Sequence, residues 1–90
     1  MKIHSLKTDI TDIQSDGAII VVGDKYHILN ESAAAIYQII VDEHPEMEHL
    51  IQIIKELYIE IWDEKYAQII TDLFEILEMM RKADLIEYIM

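Results

Sequence analysis

The chain contains no cysteine, a single proline and only two glycines in 90 residues. Without cysteine there is no disulfide, no thiolate metal site and no cysteine nucleophile. A chain that needs no disulfides suits a cytoplasmic setting. Gly17 and Gly23 both sit in turn signals, so no glycine-rich phosphate loop exists. Positive charge is also scarce: 7 Lys and Arg stand against 18 Asp and Glu, for a formal net charge of −11. Such a surface repels phosphate backbones and anionic headgroups, which argues against nucleic-acid and membrane-surface roles. It favours basic or neutral partners, above all proteins and peptides. No apolar run reaches the roughly 18 residues of a membrane span. The first five residues lack the apolar core of a signal peptide. The expectation is a soluble cytoplasmic protein.

What is present is globular composition, with 52% apolar and 28% charged residues. The length fits one domain over residues 1–90, with its core over about residues 10–87.

Residues 1–9 read as a loose or weakly paired arm. Residues 10–14 alternate, with Ile13 as the later apolar member, and Ser15, Asp16 and Gly17 signal a tight turn. Residues 18–22 are β-branched and bounded by turns, so they read as a strand. Gly23 and Asp24 mark the next turn, and residues 25–29 read as the returning strand. The period then changes. Asn30 is a good N-cap for a helix over 31–42, with Ala33, Ile36, Tyr37 and Ile40 facing inward. His44 and Pro45 end it. A second helix over 46–59 carries Met47, Leu50, Ile51, Ile54, Leu57 and Tyr58 on one face. Ile61 and Trp62 fall in the connection, and Asp63 can cap a third helix over 64–83. The expected fold class is α+β and winged helix-turn-helix-like: a three-stranded antiparallel sheet followed by a three-helix bundle.

The third helix has an unusually wide apolar arc. Ile69, Ile76 and Met80 lie on one flank, and Ile70, Phe74 and Leu77 lie on the other. One flank suffices for a small core, so the other is free to meet a partner. No catalytic constellation accompanies it, and no enzyme is expected. His4, His27, His44 and His49 have no ligand spacing, so no metal is assigned. The many carboxylates fall on polar faces and at helix starts. Ser5, Ser15 and Ser32 have no base beside them in any known motif. Trp62 is expected to plug the core beneath the second connection, with contact to a partner as the alternative.

Two runs carry a family resemblance. The first is Tyr26-His27-Ile28-Leu29-Asn30-Glu31-Ser32-Ala33-Ala34-Ala35-Ile36-Tyr37. The second is Asp72-Leu73-Phe74-Glu75-Ile76-Leu77-Glu78-Met79-Met80-Arg81-Lys82-Ala83-Asp84-Leu85-Ile86. In this order and spacing they resemble the PqqD-like family, across residues 16–87. The first looks like that family's passage from last strand to first helix, and the second like its final helix and Gly-Leu-Ile ending. Asp84 departs from the pattern by standing where the family usually has glycine. The position is expected to need a left-handed backbone conformation, which Asp tolerates at some cost.

The resemblance implies a non-catalytic recognition element for leaders of ribosomally made precursor peptides. The leader would add as a strand beside residues 25–29, with the third helix as the other wall of the groove. A short free-standing chain is similar to the lasso-peptide members, whose partners are a leader protease and an ATP-dependent cyclase. The leader there commonly carries a Tyr-x-x-Pro motif, and Phe74 is similar to the apolar residue those members place at this point. The expected peptide-binding residues are Lys25, Tyr26, His27 and Ile28 on the strand and Ile70, Phe74, Leu77 and Arg81 on the helix. Arg81 is expected to pair with a leader carboxylate. The opposite flank, Ile69 and Ile76, is the alternative wall. No cofactor is expected, and the oligomeric state is left as monomer or weak homodimer. The competing expectation is a winged-helix DNA-binding regulator. Its reading helix would carry Glu64, Asp72, Glu75 and Glu78 against Lys65, Arg81 and Lys82, a poor match to DNA.

Overall fold

The computed structural model describes residues 1–6, 10–14, 17–22 and 24–90; the side chains of residues 10–14 and 22 fall outside the description. The described residues form an α+β fold with three helices and two small antiparallel sheets. In chain order the elements are β1 (Lys2–Ser5), β2 (Ile10–Gln14), β3 (Gly17–Val22), β4 (Lys25–Asn30), α1 (Glu31–Glu43), α2 (Met47–Leu57), α3 (Trp62–Lys82) and β5 (Ile86–Ile89). No helix among the described residues is long and apolar enough to cross a membrane.

One sheet has the order β2-β3-β4. Successive strand side chains point to opposite faces. Ala18 and Ile20 of β3 are buried and Ile19 is exposed; on β4, Leu29 is buried while Tyr26 and Ile28 are exposed. The register sets Ala18 across from Leu29, Ile19 across from Ile28 and Val21 across from Tyr26. Gly17 has φ 157°, and a Cβ there would lie 2.6 Å from the Leu29 carbonyl oxygen, so the approach of β4 excludes a side chain. Of the two turns expected in this region, Ser15, Asp16 and Gly23 lie outside the described residues, as do residues 7–9 of the N-terminal arm.

Asn30 caps α1 as its position suggests: its Oδ1 accepts from the Ala33 amide at 2.9 Å. The helix buries Ala33, Ala34, Ile36, Tyr37 and Ile40. It ends at His44, which is left-handed (φ 45°) and donates its amide to Ile40. In α2, Leu50 and Ile54 are buried, but Leu57 and Tyr58, expected on the same inward face, are exposed. α3 begins earlier than expected. The Glu64 and Lys65 amides both donate to the Ile61 carbonyl, so Ile61 is the N-cap, Trp62 lies within the helix and Asp63 caps nothing.

The expected loose arm needs the larger correction. Residues 2–5 form β1, which pairs antiparallel with the unexpected β5 in a second sheet. The Ile3 amide donates to Pro45 at 2.8 Å, and the Met47 amide donates to Met1 at 2.8 Å. Burial explains the pairing: Ile3, Leu85 and Ile86 are essentially inaccessible, and burying one such side chain is worth about 1.5–3 kcal/mol. The core therefore reaches back to residue 3, beyond the expected start near residue 10. Ile3, Ile20, Leu29, Tyr37, Ile40, Leu50, Leu73, Leu77, Met80 and Ile86 join both sheets and all three helices in one apolar cluster.

α3 closes on a Schellman arrangement. The Asp84 amide donates to Arg81 at 3.1 Å and the Leu85 amide to Met80 at 2.9 Å. Asp84 is left-handed (φ 60°), the conformation expected for it.

Candidate functional site

Two features stand out, an open strand edge and a helical cleft. β4 pairs with β3 along one edge, and among the described residues no backbone group pairs with its other edge. Such an edge presents unpaired N–H and C=O groups to any extended chain. Tyr26 is 68% exposed and Ile28 73%, values too high for core residues. With Ile19 they give the outer face of the sheet an apolar patch. Lys25 is exposed beside them and His27 is half-buried on the inner side.

α1 is the helix packed directly on β3 and β4. Its first turns, through Ser32 and Ala35, form one lip of a cleft of about 170 Å³. Ile54 and Tyr58 of the α2 end, and Ile69 and Ile76 of α3, complete the walls, with Ile36 and Leu73 beneath. Ser32 lies two residues beyond the end of β4, so the cleft opens close to the end of the free edge. Asp72 is the charged group at the rim; its carboxylate accepts from Gln68 Nε2 at 2.8 Å.

The α3 residues expected in the groove divide sharply. Leu77 is fully buried and belongs to the core, so it has no surface to offer a guest chain. Phe74 is 43% exposed and Ile70 half-buried, on the flank that does not line the cleft. The cleft takes the opposite flank, Ile69 and Ile76. Arg81 is exposed and already engaged: its Nε donates to Glu78 at 3.0 Å and a second guanidinium nitrogen donates to the other carboxylate oxygen. Hydrogen bonding from Arg81, helped by its charge, holds the Glu78 carboxyl below its ordinary range and raises the guanidinium correspondingly.

Sequence reasoning missed Ala35, Ile39, Ile54 and Tyr58 as cleft residues. Ala35 and Ile39 are four apart on α1, a spacing that marks a shared face, but nothing local indicates that α3 stands off from it. The structure also brings His4 and His44 together, with ring centroids 4.5 Å apart, although they are distant in sequence. No group of three or more His, Asp or Glu among the described residues is arranged to hold a metal. Among the described residues the arrangement offers an open edge, an apolar face and an apolar cleft. No family model, curated protein or solved structure matches the chain.

Proposed function

We propose that the protein is a non-catalytic peptide-binding adaptor that captures an extended segment as an added strand on the free edge of β4. The single observation carrying this reading is that edge, unpaired among the described residues and flanked by the outward Tyr26 and Ile28. Backbone hydrogen bonds supply affinity in such a complex, and pockets for side chains fix the register. The cleft at Ser32, Ile69 and Ile76 is suited to an apolar side chain just beyond the added strand. The guest is a precursor leader peptide of the Tyr-x-x-Pro kind, delivered in the cytoplasm to a leader protease and an ATP-dependent cyclase, and the fold is a winged-helix variant turned to peptides. The net charge of −11 favours this guest over DNA.

Fluorescence anisotropy with a labelled synthetic peptide bearing Tyr-x-x-Pro tests the reading. Binding is expected at micromolar or better, with Ile28→Asp weakening it by about tenfold or more. New amide protection is expected along β4. Equal affinity in a folded Ile28→Asp variant, or protection that leaves β4 unchanged, ends the proposal.

A further inference from the structure

The turn joining α2 to α3 leaves an apolar knuckle in solvent. Leu57, Ile59, Ile61 and Tyr66 are 63%, 59%, 44% and 56% exposed, and none lies on the β4 edge. Trp62 is half-buried among them, its ring 6.3 Å from that of Tyr66. The backbone here is firmly set: the Tyr58 amide donates to Ile54, Ile61 to Tyr58, and both Glu64 and Lys65 to Ile61. The side chains are thus held out by a hydrogen-bonded turn. An exposed aromatic and aliphatic cluster with a polar rim is the composition of an interface centre.

The rim identifies the partner. Between residues 56 and 66 the exposed carboxylates are Glu56, Glu60, Asp63 and Glu64, against Lys65 alone as a cation. We infer that this knuckle is a docking surface for a partner protein whose contact face has an apolar centre ringed by Lys and Arg. A second copy of this chain is disfavoured, because it would bring the same four carboxylates against themselves and add two bodies of charge −11. Leu57 borders both the knuckle and the cleft, whereas Ile59, Ile61 and Tyr66 line neither the β4 edge nor the cleft, and on these three the inference stands apart from peptide capture. An adaptor built this way holds one partner at the knuckle while the strand edge stays open.

The test uses the full chain, isotope-labelled for amide NMR, and a synthetic leucine–lysine amphipathic helix as the probe. A lysine–serine helix of equal charge is the control. The variant is Ile59→Ser, Ile61→Ser and Tyr66→Ser together; all three side chains are exposed, and serine is favoured at the N-cap that Ile61 occupies. The leucine–lysine helix is expected to shift amides within 56–66, to bind about tenfold tighter than the control, and to lose about tenfold in the variant. Shifts spread over the whole acidic surface, or equal binding of the control, overturn the inference. So does a dimer in sedimentation that the variant abolishes, which would make a second copy the occupant. Binding of the knuckle to phosphatidylcholine vesicles would overturn it in favour of lipid.

Discussion

The amide of Leu85 reaches back 2.9 Å to the carbonyl of Met80, across an Asp84 held in the left-handed region at φ 60°. Both Leu85 and Met80 are fully buried, so the bond and the apolar contact lock the end of α3 together. Asp84 is poorly suited to its place: its side chain dislikes this backbone, and its charge sits at the negative pole of the helix. Asp84→Gly is expected to stabilise the protein by about 1 kcal/mol, and Asp84→Val to destabilise it by about 1–2 kcal/mol. Urea denaturation midpoints measure both, and a drop in stability for Asp84→Gly would contradict the assignment.

Ile3 offers a test of the second sheet. Its side chain is fully buried, and its amide bonds to Pro45. Ile3→Ala should cost about 2–4 kcal/mol, the usual loss for a large core aliphatic. An unchanged urea midpoint would mean that the N-terminal strand does not dock in solution.

Leu77 and Phe74, three residues apart on one flank of α3, should respond in opposite ways to the same substitution. Leu77→Asp buries a carboxylate without a partner and is expected to unfold the chain. Phe74→Asp places the charge at a 43% exposed site and should leave circular dichroism native. Finding both variants equally folded would show that this flank is not core.

The Glu78 carboxyl titrates below its ordinary value because Arg81 donates to it. With the folded pKa depressed, the pair's contribution is present above the unfolded pKa and fades as pH falls through the folded one. Both groups are exposed, so the effect on stability is small and screened. Carboxyl-detected NMR should show the Glu78 midpoint returning toward the ordinary range in Arg81→Ala. A midpoint that stays put would remove the ion pair.

Gly17→Ala should destabilise by about 1–3 kcal/mol, since the new methyl must displace the backbone of β4. Thermal melting of the two proteins side by side decides it. An equal melting temperature would mean that β3 and β4 lie further apart at this end.

Much of the architecture was legible where local chemistry decides it. The Asn30 cap, the inward stripe of α1 and the stop at His44 and Pro45 all follow from side chains acting on their own neighbourhood. The left-handed Asp84 was expected from the family resemblance alone, since nothing in the local residues marks it. β1 and β5 were not legible. Four-residue strands carry almost no period, and their pairing joins segments more than eighty residues apart. The start of α3 was also misread, since Asp63 looks like a better cap than Ile61; the turn at residues 58–61 overrides that preference. At the site, the choice of β4 as the open edge came from the family resemblance. The choice of flank on α3 was not legible, because Ile69 and Ile70 are equally apolar and only packing separates them.

The β1–β5 pairing sets Lys2 directly across from Ile89. Anything attached ahead of the one and anything attached after the other leave the molecule side by side. A short linker between the two ends would let the gene be rearranged so that the chain starts and stops at another loop without parting the two strands.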